Sequence, residues 1–243
     1  MSITCRYYKK SDYGKSINLL DVLRIKFSDN KSLIYDRRDS SKNNGNSLKL
    51  KIHYVGEKEN KYGTLLVLAI DLPLKIIDYE KNGEEKFIIK KSEIVPIQFF
   101  KEDKKDYLAL ICPKEFTQSS VEAINTLLMN RNRKLIDFCT INLNGENIPE
   151  EMTRFWVGDL QDHNSKSASV AGTDLKGKND YQRYVDNLSG IVKAIIKKDN
   201  SGEFEYGISR EGNIWVKSSN RDNEREKFIY DTLCLLISQG ILN

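Results

Sequence analysis

The chain has 243 residues, 39% of them hydrophobic and 30% charged, which is too apolar for a disordered protein and long enough to bury one large core or two small ones. No stretch approaches the ~18 apolar residues of a membrane span, and the polar, basic start lacks a signal-peptide core, so a cytoplasmic protein without membrane insertion is expected. The net charge of +4 is unevenly placed: the first 51 residues carry twelve Lys and Arg against five Asp, a local +7, whereas the residues after Glu115 sum to −2.

In chain order, residues 2–8 predict a strand. Ser16 stands as an N-cap before Leu19, Val22, Leu23 and Phe27, whose spacing puts one apolar stripe on a short helix. Residues 39–47 form a polar, Gly-containing loop. Leu48, Leu50, Ile52 and Tyr54 then alternate with Lys49, Lys51 and His53, the pattern of a half-buried strand with a basic outer face. An apolar run follows over residues 62–72. Asn82-Gly83 supplies the positive φ angles of a hairpin turn joining Ile76 and Ile77 to Phe87, Ile88 and Ile89. Residues 94–100 and 107–112 read as a second antiparallel pair. Ser119 with Glu122 reads as a capping box opening a helix with Val121, Ile124, Leu127 and Leu128, and residues 135–143 as a strand.

Beyond residue 145 an acidic short helix over residues 149–152 is expected, then the aromatic pair Phe155 and Trp156. A polar loop over residues 159–180 follows. From Ile191, Val192, Ala194 and Ile196 alternate with Lys193, Ile195 and Lys197. Turns at residues 200–202 and 211–213 then make a three-stranded meander. A helix over residues 222–238, burying Phe228, Ile229, Leu233, Leu236 and Ile237, stops near Gly240. The fold class is therefore α+β, with mixed or antiparallel sheets and a few packed helices in two modules, 1–144 and 145–243.

Four scattered cysteines and two histidines provide neither a disulfide frame nor a zinc set, and no cofactor-binding loop is present in the sequence, so neither metal nor cofactor is expected. The basic residues carry the strongest functional pattern. Lys9, Lys10, Lys15, Arg37, Arg38, Lys42, Lys49 and Lys51 converge on phosphates if the opening strand, the 39–47 loop and the Leu48 strand are neighbours. Tyr7, Tyr8, Tyr13 and Tyr35 interleave with them as candidate stacking groups. Arg131, Arg133 and Lys134 follow a helix C-terminus, where the helix dipole accounts for them. The rival chemistry is a metal-dependent nuclease with Asp78, Glu84 and Lys86 around a scissile phosphate; His163 beside Asp159 and Asp162 offers too few ligands for a transition metal. A third reading is a sensor or adaptor that meets a protein partner through Phe155 and Trp156. The apolar surplus over residues 233–237 predicts a homodimer.

Two segments, Tyr13-Gly14-Lys15-Ser16-Ile17-Asn18-Leu19 leading into a helix, and Tyr206-Gly207-Ile208-Ser209-Arg210-Glu211-Gly212-Asn213-Ile214 followed by a helix with Tyr230, resemble the opening and closing portions of RexA-type phage-exclusion proteins. The resemblance covers about a quarter of the chain. It implies a two-domain, dimeric DNA-binding protein of anti-phage defence that acts through a membrane or effector protein partner, with basic residues facing DNA and no catalytic residues to carry over.

Overall fold

The computed structural model describes residues 2–12, 14–38, 47–77, 85–101, 104–128, 135–143, 152–161, 166–173, 175, 179–187, 189–198, 205–217, 222–238, 240 and 242. They form an α+β fold whose strand pairs are antiparallel, divided into a continuous unit, Tyr8–Asp137, and a split unit, Met1–Tyr7 with Phe138–Asn243. The expected modules met at residue 144; these units meet at Asp137, and the first seven residues belong with the C-terminal part.

The continuous unit takes the end of β1 (Ser2–Lys10), then α1 (Leu19–Ser28), β2 (Ser32–Arg38), β3 (Ser47–Asn60), β4 (Gly63–Ile77), β5 (Glu85–Phe100), β6 (Tyr107–Ile111), α2 (Lys114–Leu128) and the start of β7 (Ile136–Phe138). Its strands lie in the order β2-β3-β4-β5-β6-β1. The frame is the long β4–β5 hairpin, paired from Gly63 opposite Phe100 to Ile77 opposite Glu85; its Asn82-Gly83 turn lies outside the described residues. Gly63 sits at φ +145°, and a Cβ there would lie 1.9 Å from the Phe99 carbonyl oxygen, so only glycine lets β4 start against β5. One sheet face, with Leu50, Ile52, Leu66, Leu68, Ile70, Leu72, Val95 and Ile97, is buried with Leu19, Leu23 and Phe27 of α1 and Val121, Ile124, Leu127 and Leu128 of α2.

Both helix starts differ from expectation. Asn18, not Ser16, caps α1, its side chain accepting from the Asp21 amide. Helix α2 begins at Lys114, directly after Pro113, so Ser119 and Glu122 lie inside it and form no capping box. The strand expected over residues 135–143 shortens to β7, and a lone bridge joins Ile141 to Leu242. The buried Asn125 side chain holds the start of that segment, accepting from the Leu135 and Ile136 amides and donating to the Ile136 carbonyl.

The split unit adds β8 (Met152–Gly158), β9 (Ser167–Ala171), α3 (Asn179–Tyr181) running into a π-helical turn at Gln182–Asn187, β10 (Ile191–Lys198), β11 (Glu205–Ser209), β12 (Asn213–Lys217) and α4 (Asp222–Ser238). Its strand order is β1-β12-β11-β10-β8-β9. The meander and the closing helix lie where the sequence places them, and Gly240, at φ +65°, donates to the Ile237 carbonyl to end α4. Three expectations change. Met152 opens a strand rather than ending a helix, and the rest of that segment lies outside the described residues. The polar stretch of residues 159–180 contains β9. A β-bulge between Val192 and Ala194 shifts the alternation of β10, so Val192 and Ile195 are buried while Ala194 and Ile196 share the other face.

The first strand closes this unit. Ser2 to Arg6 pair with Lys217 to Asn213, the Cys139 amide donates to the Tyr7 carbonyl, and the fully buried Tyr7 hydroxyl donates to the Ile229 carbonyl of α4 at 2.5 Å. Burial, reinforced by the neighbouring Cys5, Cys234 and Cys139, pushes the Tyr7 pKa well above its ordinary value. Tyr7→Phe is expected to cost about 1 kcal/mol in urea denaturation at neutral pH. A folded-state pKa raised above the unfolded one contributes stability that is present below the unfolded pKa of 10.0 and is lost as pH rises above it. The wild type is therefore expected to lose stability more steeply than Tyr7→Phe above about pH 10, an ordering that parallel denaturation series will check.

Candidate nucleic-acid interface

The alternation of β3 places Lys49 and Lys51, both exposed, on the sheet face opposite Leu50 and Ile52. Direct cross-strand pairing puts Asp36 beside Lys49, Ile34 beside Lys51, and Ser32 beside His53 on that outer face. His53 in turn lies opposite Ala69, and Ala69 opposite Ile94. The Asp71 carboxylate, also on this face, accepts from the Lys51 amide at 3.2 Å and from the Ser92 hydroxyl, so one negative group is anchored among the bases. Ile34 and Ile94 remain 61% and 54% exposed there.

The other predicted bases stand elsewhere. Lys10 pairs with Asp106 at 3.9 Å; burial lowers its pKa and Asp106 opposes the shift. The Lys9 ammonium lies 5.8 Å from the centroid of the Tyr107 ring. Lys15 donates to Asp12 at 2.6 Å, which raises the Lys15 pKa and lowers that of Asp12. Strands β4, β5 and β6 separate β1 from β3 in the sheet, so Lys9 and Lys10 stand about 19 Å from the Lys49 and Lys51 strand at ordinary strand spacing and do not converge with it. Arg37 pairs with Leu48 and Arg38 with Ser47, which puts the Arg38 position on the Lys49 face and the Arg37 position on the helix-covered one. Lys42, Arg131, Arg133 and Lys134 lie outside the described residues, as do His163, Asp78 and Glu84; of the nuclease set only Lys86 has a placed backbone, opposite Ile76. Among the described residues no group of three or more His, Cys, Asp and Glu side chains is arranged to hold a metal ion.

Three of the four candidate stacking tyrosines are inside the protein. Tyr7, Tyr8 and Tyr35 are buried, Tyr35 donating to the Asp71 carbonyl at 2.7 Å, and Tyr13 lies outside the described residues. Phe155, named with Trp156 as a partner contact, is also fully buried, with its ring against Tyr181 in an edge contact. In α4, Ile229, Leu233 and Leu236 are buried, and Cys234, Leu235 and Ile237 are partly covered.

Aromatic rings are partly exposed on one sheet face of the split unit. Register places Arg154, Ile196, Gly207, Trp215 and Thr4 in one row across β8, β10, β11, β12 and β1. Trp156, Ala194, Ser209 and Arg6 belong to the adjoining row on the same face. Trp156 and Trp215 are partly exposed, with ring centroids 6.5 Å apart and planes at 59°, and the exposed Arg154 guanidinium lies 5.8 Å from the Trp156 ring. A Cβ on Gly207 would lie 2.0 Å from Cε2 of Trp215, so the indole rests on bare backbone. Trp215 stands in no sequence motif of its own. The signal for it was the turn at residues 210–212, which makes Ser209 and Asn213 mirror positions and sets Gly207 opposite Trp215.

No protein-family model matches the chain, and no curated protein matches it.

Trp156 and Trp215 are the chain's two tryptophans, so their spectra report this face alone. Gly207→Ala is expected to lift the Trp215 ring, changing near-UV circular dichroism and tryptophan emission and destabilising the fold by about 1–3 kcal/mol. Unchanged spectra at full stability would show that the ring does not rest on Gly207.

Proposed function

We propose that the protein is a cytoplasmic nucleic-acid binder, acting on DNA through phosphate contacts largely independent of sequence, in phage exclusion. The observation that carries the binding is the pair of exposed lysines, Lys49 and Lys51, two positions apart on the sheet face opposite the one buried with the helices. Two cations about 7 Å apart along a strand match the spacing of successive phosphates on one nucleic-acid strand, and neutralising them releases counterions. The defence setting, and with it a membrane or effector partner, rests on the resemblance of residues 13–19 and 206–214 to RexA-type proteins. No helix among the described residues is long and apolar enough to cross a membrane.

One observation favours a second reading of the same face. Exposed Ile34 and Ile94 suit a protein partner, including a second copy of the chain, better than phosphate. Ile34→Ser with Ile94→Ser, which adds no charge beside Lys51, would then dissociate the complex in sedimentation equilibrium while leaving DNA affinity intact.

Fluorescence anisotropy with labelled DNA across a salt series tests the main reading. Lys49→Ala with Lys51→Ala is expected to weaken binding about tenfold at low salt on every sequence and to reduce the salt slope by about two. The same affinity and slope as the wild type would overturn the assignment. Asp71→Asn removes the one anchored carboxylate beside Lys51, and affinity is expected to rise about two- to threefold, the effect of one unit charge several Å away in water.

A further inference from the structure

We infer that the tryptophan face of the split unit is a stacking site for unpaired nucleobases, so that the protein binds single-stranded nucleic acid there by a contact distinct from the lysines of β3. The inference deepens the nucleic-acid reading and rests on it.

The two faces of this sheet are treated very differently. On one, Phe155, Val157, Ile195, Ile208, Ile214 and Cys5 are all buried. On the other, the largest side chains in the unit, Trp156 and Trp215, stay partly exposed beside an exposed arginine. Leaving indole surface in water forgoes burial energy that the closed face collects in full. The rings are tilted by 59° rather than stacked, so neither covers the π-face of the other. The Trp215 ring lies against the bare backbone of Gly207 and stays partly exposed. A planar, partly hydrated heterocycle is the ligand that such rings recognise, because every base offers a π-face irrespective of its identity.

The surroundings select a nucleotide over an apolar planar molecule. Arg154 stands at one end of the face and Arg6 at the other, with the Lys217 position opposite Ser2 on β12 and β1. Between them lies Asn213, opposite Arg6 by register, only 3% exposed and with its amide donating to the Ser209 hydroxyl at 3.2 Å. Its Nδ2 donates to the Ser209 hydroxyl at 3.3 Å, while its buried Oδ1 has no hydrogen-bond partner among the described residues. An unfilled buried acceptor is costly, and a base amino or imino group is a donor of the size and polarity to fill it. Cations for the backbone, rings for the base faces and an acceptor for a base edge make up the requirements of single-strand binding. A duplex hides its base faces in the stack and meets only the cations.

Tryptophan emission and anisotropy, recorded together while the full chain is titrated with labelled oligothymidylate, oligoadenylate and a duplex of equal length, test this. The panel comprises wild type, Trp156→Leu, Trp215→Leu, Trp156→Phe, Trp215→Phe, and the Lys49→Ala with Lys51→Ala double variant; thermal melts establish that each is folded. Single strands are expected to quench wild-type emission, and each leucine variant to lose about tenfold or more in single-strand affinity while duplex affinity stays within twofold. The phenylalanine variants keep a π-face and are expected to recover most of the loss, which a purely structural role for ring bulk would not produce. Single-strand affinity that survives both leucine substitutions, with loss only in the lysine variant, would overturn the stacking site and leave the phosphate reading standing. Loss in the leucine variants alone would sustain the stacking site and remove the β3 lysines from it. No binding of any oligonucleotide at low salt would overturn both and assign the exposed rings to a protein partner.

Discussion

The split unit depends on one pairing: its first strand is completed by β12, a strand from near the end of the chain. β1 lies beside β12, more than two hundred residues away, and Tyr7 bonds to the backbone of α4. Until the C-terminal hairpin exists, residues 2–6 have no partner for their amides and carbonyls on that side. Closing so long a loop costs entropy that only grows slowly with length, and the recovered burial of Cys5 and Tyr7 together with a five-residue ladder offsets it. Contacts of such separation also slow folding, so this unit is expected to form after the hairpin units of the chain.

The continuous unit is built by a different economy. Neighbours in its sheet from β2 to β6 are also neighbours in sequence, joined as successive antiparallel hairpins, and α1 and α2 both lie over one face. That leaves an outer face on which Lys49, Lys51, His53 and Asp71 are set by the two-residue period of the strands. The same period puts Tyr35 inside, one residue from Asp36 on the outer face, and a single step along the strand is the difference between a core ring and a surface charge.

Net charge along the sequence does not reveal which bases the fold leaves exposed. The excess of the first 51 residues is genuine, yet Lys10 is held against Asp106, Lys15 against Asp12, and Arg24 against Glu57 through two hydrogen bonds. Lys49 and Lys51 owe their exposure to strand register rather than to the density of bases around them. The aromatic groups invert in a similar way. Tyr7, Tyr8 and Tyr35, which lie among the bases in sequence, are buried, whereas Trp156 and Trp215, in the slightly acidic half, stay partly exposed.

Periodicity by itself determined the fold class, the α1 stripe, the basic outer side of β3, the β4–β5 hairpin, the β10–β12 meander and the bounds of α4, because those follow from hydrogen-bonded geometry and burial acting over a few residues. Helix starts went astray where competing local signals exist: Asn18 displaced Ser16, and Pro113 set the start of α2. Tertiary structure alone decided what depends on distant pairing. It joined β1 to β12, separated Lys9 and Lys10 from Lys49 and Lys51 by three strands, and through the bulge in β10 chose which isoleucine is inside. It also brought Trp156 to Trp215 across the meander. Residues 59 positions apart carry no local record of each other, since their proximity is a property of the sheet and not of either strand.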